Sequence, residues 1–185
     1  MRDSITDSNL HRIHLLTRKD QYNVEAKYNL YPDSVRHPND CISVEAWVNE
    51  INSKEEMCVL FYKPQDTISE NHPQLKSEDF MLIIMNKPQC NILLKYGNDC
   101  ICIDGTHGMN SYNLELLTIL VLDDMRQGFP CAFCVTNRTD KETSRIFFSY
   151  IEKWTGTISC SVFMSDMAGS FYNAWMEIMN VPKLR

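Results

Sequence analysis

Asp104 and Asp166 are the residues through which this chain could do chemistry. Asp104 closes the apolar run Ile101-Cys102-Ile103 and is followed at once by Gly105, Thr106 and His107. Asp166 closes the run ISCSVFMSD and is followed by Gly169-Ser170. Two carboxylates brought close repel each other, and both stay ionised only where a cation or hydrogen-bond donors compensate. Hard oxygen donors suit Mg2+ or Mn2+. Two such ions about 3.5–4 Å apart activate an attacking oxygen and stabilise the leaving one in phosphoryl transfer. Gly105 would let a backbone or a phosphate approach, and a helix N-terminus just after Asp166 would favour an anion. The same pattern also describes two strand-end aspartates facing solvent, and the residues alone leave both readings open.

The other candidates are weaker. His107 could touch a phosphate or metal, or simply order the turn. Glu115, Asp123 and Asp124 are acidic groups near apolar strands, the last two before a chain reversal. Cys131 and Cys134 form a Cys-x-x-Cys, but residues three apart on a strand point to opposite faces, which argues against a zinc pair. His11-x-x-His14 has no matching cysteine pair nearby.

For the two acids to meet, their strands must be neighbours. Residues 100–104 read as a strand, and Gly105 to Asn110 as a turn in which Gly105 and Gly108 are free to take positive φ. Strands are expected over 114–124 and 129–136, joined by a reversal at Met125 to Gly128. Thr139 and Glu142 have the spacing of a capping box, opening a helix with Ile146, Phe147, Tyr150 and Ile151 on one side and a stop at Thr155-Gly156. A fourth strand spans 158–166, and a helix from Ser170 presents Phe171, Trp175 and Ile178. This β-β-β-α-β-α order lets the fourth strand return beside and parallel to the first through a right-handed crossover. Both aspartates would then emerge at one edge, where ligand sites of α/β sheets collect.

The first part of the chain divides differently. All six glycines fall between Gly97 and Gly169, whereas five of the seven prolines lie before residue 96. That shift suggests three stretches: a polar segment over 1–39, an α+β region over 40–96, and an α/β domain over 97–185. In the middle stretch, Val44, Trp47, Val48 and Ile51 have helical spacing, with Asp40 as a possible cap. MCVLFYK and FMLIIM read as strands separated by a polar loop over 65–78, and Asn86-Lys87-Pro88-Gln89 opens a short helix to Tyr96.

Composition bounds the function. The chain has 185 residues, 44% hydrophobic and 23% charged, an ordinary folded balance. No run approaches a membrane span, and the N-terminus is too polar for a signal peptide. Eight cysteines, mostly among apolar neighbours, read as buried free thiols of an intracellular, reducing compartment. The formal net charge of -6 argues against a large nucleic-acid surface, which needs clustered Lys and Arg. Trp47, Phe61, Tyr62, Phe80, Phe147, Phe148, Phe171 and Trp175 read mainly as core, since basic residues between them are scarce.

The segments ICIDGTHGMNSYNLELLTILVLDD, GFPCAFCVTNR and FMSDMAGSFYNAW, in that order, resemble the transposase domain of Mutator-like elements, the MULE domain. The likeness is closer to the element-derived or domesticated copies of animal genomes. It is strong over about 98–180 and looser over 40–96, where SVEAWVNEI, VLFYKPQ and DFMLIIMNKPQ resemble the region before that domain. The resemblance implies a ribonuclease H-like mixed sheet with a DDE-type site, the first acid at Asp104 and the second at Asp166. It implies Mg2+ or Mn2+ as cofactor, DNA as partner, a nuclear location, and phosphodiester cleavage with strand transfer as the ancestral activity. The family's third acid, a glutamate on a later helix, has no position among these residues, nor has the Cys-x-x-His stretch or the SWIM-type zinc module that follows. Related copies carry Asp and Pro where this sequence has Met167 and Gly169. The expectation is therefore a partial site, with either a residual DNA-cleaving enzyme, a catalytically dead DNA- or protein-binding scaffold, or a chain that completes its fold by self-association.

Overall fold

Short apolar runs separated by polar turns build one six-stranded sheet in the computed structural model, which describes residues 17, 19, 23, 36–54, 58–106, 108, 112–165 and 169–179. In chain order the elements are α1 (Asp40–Ser53), β1 (Val59–Lys63), β2 (Met81–Ile84), α2 (Lys87–Tyr96), β3 (Cys100–Thr106), β4 (Glu115–Leu122), β5 (Gly128–Thr136), α3 (Lys141–Thr155), β6 (Val162–Ser165) and α4 (Ser170–Ile178). The strands lie in the order β1-β2-β5-β4-β3-β6. All neighbours are antiparallel except β3 and β6, which are parallel with Cys100 opposite Val162 and Ile103 opposite Ser165. This is a mixed α/β fold, and β6 lies beside and parallel to β3, as the β-α-β order leads one to expect. The chain forms two compact units, Met1–Ala46 and Trp47–Arg185, with the boundary inside α1.

One sheet face carries the core. Ile83, Ile101, Ile103, Leu117, Ile119 and Cys134 are buried there with Leu93 of α2, Phe147, Phe148 and Ile151 of α3, and Phe171, Ala174 and Trp175 of α4. Phe148 meets Trp175 edge-on at 5.2 Å between ring centroids. Full burial of each such side chain contributes about 1.5–3 kcal/mol relative to exposure. Of the aromatic residues read as core, Phe147, Phe148, Phe171 and Trp175 are fully buried in it and Phe61 packs against it, whereas Trp47, Tyr62 and Phe80 are half-buried outside that cluster.

Local signals were placed well but often one residue off. Asn86 caps α2 in a capping box with Gln89. Gly97 ends that helix, and a Cβ there would lie 2.6 Å from the carbonyl oxygen of Leu93. On α1 the cap is Asn39, not Asp40: its Oδ1 accepts from the Ile42 N–H at 3.2 Å. On α3 it is Asp140, not Thr139, with Oδ1 accepting from the Thr143 N–H at 2.9 Å. β6 is shorter than expected, because residues 159–161 turn aside to hydrogen-bond Asn98: Ser159 N–H to its Oδ1 at 3.2 Å and Ser161 N–H to its carbonyl at 2.9 Å.

Candidate functional site

The ladder fixes which strand ends share a rim. β1, β3, β5 and β6 run in the same direction, so their C-terminal ends meet there. Asp104 lies on β3 near that rim and is exposed. It does not close the strand, as expected, but sits two residues before its end, because Gly105 and Thr106 continue the pairing opposite Leu117 and Leu116. Gly105 is therefore a strand residue rather than a turn residue, and a Cβ there would meet Leu117 Cδ2 at 3.7 Å, an ordinary contact. Gly108 takes the positive φ, at 69°. Among the described residues, the Asp104 carboxylate accepts one hydrogen bond, from Thr106 Oγ1, at 3.1 Å to Oδ2.

Its parallel neighbour β6 ends at Ser165, which pairs with Ile103. Asp166 and His107 lie outside the described residues, as do His11 and His14. Glu115 opens β4 at the same rim, opposite Thr136. Strand alternation sets it on the other face from Asp104, because Asp104 pairs with Thr118, three residues away from Glu115. Among the described residues no group of three or more His, Cys, Asp and Glu side chains is gathered as a metal centre would need. An exposed carboxylate with one neutral donor is a suitable hard ligand for Mg2+ or Mn2+, but it supplies one position of about six.

The opposite flank of the rim is where ionised side chains are assembled, and sequence reading missed it. Lys63, at the end of β1, is 3% exposed, and its ammonium donates to the carbonyls of Asp79 at 2.5 Å, Ser77 at 3.1 Å and Pro64 at 3.2 Å. Burial lowers its pKa, partly offset by the nearby carboxylate of Asp79. Arg138, just past β5, donates to Asp79 Oδ2 at 2.9 Å, to Asp140 Oδ2 at 2.5 Å and to the Gln74 carbonyl at 3.1 Å. Burial pushes the Asp140 carboxyl up, yet hydrogen bonds from Thr143 and Arg138 outweigh it and hold the group below its ordinary value. Together these contacts tie the loop after β1 to the sheet and to the start of α3. The sequence signal was a lysine closing an apolar strand and an Arg-Thr-Asp run before an amphipathic helix.

The remaining candidates have structural roles. Cys131 sits at a bulge where the β4–β5 register shifts, which breaks the alternation that should have separated it from Cys134. Both thiols are in the same buried core. Burial pushes the Cys131 thiol up to about 12 and raises Cys134 as well, so neither offers a thiolate at neutral pH. Asp123 builds the β4–β5 reversal, its Oδ1 accepting from the N–H groups of Met125 and Gln127, each at 2.8 Å. Asp124 accepts from Tyr96 Oη at 2.5 Å and Lys95 Nζ at 3.2 Å on the surface.

Fold and rim first define a class: a mixed α/β domain in which an exposed acid on an inner strand lies beside a parallel crossover strand. The family model of the MULE transposase domain matches residues 100–185, from the start of β3 onward. The match supports the family identity of that segment and a transposase-like ancestry. No curated protein and no solved structure matches the chain. None of the helices among the described residues is long and apolar enough to cross a membrane.

Proposed function

We propose that this is a transposase-derived binding protein, one that keeps a ribonuclease H-like core and its two inherited acids but does not cleave DNA. The order β5-β4-β3-β6, with β6 parallel to β3, supports the ribonuclease H-like reading of residues 97–185. The observation that carries the loss of cleavage is the charge around the acids. No Lys or Arg occurs from residue 96 to 125 or from 154 to 182, the two segments that contain Asp104 and Asp166. Cleaving a phosphodiester requires its backbone to be held, and Lys and Arg supply that hold. At the same rim, Lys63 and Arg138 are engaged by carbonyls and by Asp79 and Asp140. The activity left to such a scaffold is recognition away from these two segments, of another protein or of DNA held by basic residues elsewhere in the chain. A nuclear location and self-association belong to the same reading.

One observation favours the ancestral activity as a second reading. The pairing of Ile103 with Ser165 supports a rim on which Asp104 and Asp166 follow side by side, and there they would share Mg2+ or Mn2+ as metal ligands and catalytic acids. The test is nicking of supercoiled DNA by the purified chain in Mn2+ and in Mg2+, beside an Asp104→Asn/Asp166→Asn variant. The binding reading expects both proteins to leave the DNA intact. Mn2+-dependent nicking by the wild type that disappears in the variant establishes the enzyme instead.

A further inference from the structure

Cys100 and Cys102 lie two apart on β3, so their thiols share one face of the sheet. It is the face opposite Ile101 and Ile103, which belong to the core. Parallel pairing sets Met164 of β6 directly beside Cys102. The Cys102 thiol meets the Met164 thioether at 3.7 Å, Sγ to Sδ, and it also hydrogen-bonds with the Cys100 thiol. Three sulfurs from two adjacent strands are thus gathered at one spot.

The backbone holds them there. The Ser161 N–H donates to the Asn98 carbonyl at 2.9 Å and the Val162 N–H to the Asp99 carbonyl at 3.1 Å, which clamps the start of β6 onto the start of β3. The register that follows places Met164 against Cys102. Cys100 is 4% exposed and Cys102 is half-buried, whereas Met164 is 53% exposed. A small ion therefore reaches the group from the Met164 side and finds the thiols behind it. Leu120, paired with Cys102 from β4, and Val162, paired with Cys100, make the surroundings apolar.

The donor set selects the ion. Structural zinc takes four ligands, from cysteine, histidine or carboxylate. Here there are two thiols, and among the described residues no third His, Cys, Asp or Glu joins them. Mg2+ and Ca2+ require oxygen. Thiolate together with thioether is the ligand set of a soft ion, and Cu(I) is the one that accepts both. The spacing agrees. Metal–thiolate bonds of about 2.3 Å put the sulfurs of a trigonal set about 4 Å apart, and Cys102 and Met164 already stand at 3.7 Å. The bound ion must displace the Cys102 proton, since burial and then Cys100 push that thiol up to about 11. A disulfide fits the pair less well, because strand residues two apart have Cα atoms about 6.6 Å from each other, at the far end of the disulfide range of about 4.4–6.8 Å.

We propose that Cys100, Cys102 and Met164 form a Cu(I) site, with two thiolates and one thioether as its ligands. Copper enters as Cu(I) and stays so: the two thiol protons pass to solvent, and no electron is transferred. Neither Asp104 nor Asp166 takes part, so the site stands or falls apart from the question of DNA cleavage.

The test uses the full chain, reduced and kept anaerobic, with Cu(I) buffered by bathocuproine disulfonate as the probe. Competition for the ion measures affinity and stoichiometry in the wild type, Cys102→Ser, Met164→Leu and Cys41→Ser, the last an exposed thiol outside the group. Unchanged melting confirms the folding of each variant, and Met164→Leu, an exposed change of similar volume, decides alone should Cys102→Ser melt early. The wild type should take one equivalent of Cu(I) from the chelator. Binding should weaken about a hundredfold in Cys102→Ser and about tenfold in Met164→Leu, and remain unchanged in Cys41→Ser. X-ray absorption of the loaded chain should show sulfur alone bound to copper, at about 2.3 Å. A wild type that takes no copper from the chelator overturns the proposal, as does wild-type affinity in a folded Cys102→Ser or in Met164→Leu. Nitrogen or oxygen bound to the copper, or equal loss of binding in Cys41→Ser, places the ion elsewhere and overturns it as well.

Discussion

On the β1–β2–β5 flank of the rim, Lys63, Asp79, Arg138 and Asp140 hold one another and the adjoining backbone. Two strands beyond β5, roughly 10 Å away at the usual strand spacing, Asp104 stands exposed with, among the described residues, a single neutral donor, Thr106. Both flanks belong to the same sheet and the same set of strand ends. The difference is in what their charges are used for. Partners surround the first set, so its energy goes into positioning the loop after β1 and the start of α3. The second is available to whatever arrives from solvent. A strand-end carboxylate acquires a functional reading from this availability, whereas a network that is already complete reads as architecture.

The comparison breaks most easily at Arg138. Arg138→Ala leaves Asp79, itself 6% exposed, without its guanidinium partner and frees Asp140 as well. Removing one member of a largely buried pair is costly, and about 3 kcal/mol of unfolding free energy should be lost. Urea titration measures it, and a loss below about 1 kcal/mol would show the network to be surface decoration. Lys63→Met should follow at about 2 kcal/mol, since the carbonyls of Pro64, Ser77 and Asp79 lose their shared donor. Amide exchange should accelerate across residues 64–79 and remain unchanged on β3 and β4. Uniform acceleration would mean that the lysine supports the whole sheet rather than the loop.

Asp140→Ala should cost about 1 kcal/mol, the usual value of an N-cap. It should also flatten the acid limb of the stability curve. The folded pKa of Asp140 lies below its unfolded value, so its contribution is complete above the unfolded pKa, near 4, and is lost as pH falls through the folded one. The wild type should lose this increment below about pH 4, whereas the variant has none to lose. Parallel acid limbs for the two proteins would contradict the assignment.

The sequence was most legible where the signal is local and repeated. Apolar runs located the strands, and the β-α-β rule put β6 beside β3, because a crossover of that length has one favoured hand. Legibility failed where a distant partner decides. Gly105 resembles the start of a turn, but Leu117 across the ladder keeps it in β3. Thr139 and Asp140 are both good caps, and Arg138 together with Thr143 fixes the choice on Asp140. The bulge that brings Cys131 and Cys134 into one core arises from a register shift against β4, which no period in β5 announces. The Lys63–Asp79–Arg138 network joins residues from three segments, up to 75 positions apart in the chain, and each of them alone resembles an ordinary surface charge. At the candidate site, residue type and the end of an apolar run picked out Asp104, while its exposure became visible only in the folded sheet.

That exposure leads to the smallest effect, which is also the most informative. Asp104→Asn keeps an oxygen to accept from Thr106 Oγ1 and removes a charge that solvent already hydrates. Stability without divalent ions should change by no more than about 0.5 kcal/mol, as for exposed positions away from any network. Asp79→Asn, the same chemical change on the other flank, should cost several times as much, because Arg138 there loses an ionic acceptor in a partly buried setting. The two isosteric substitutions, measured by urea titration in one buffer, therefore read the two flanks directly. If Asp104→Asn is as damaging as Asp79→Asn, Asp104 is an architectural charge, and it can no longer be read as a group kept open for a ligand.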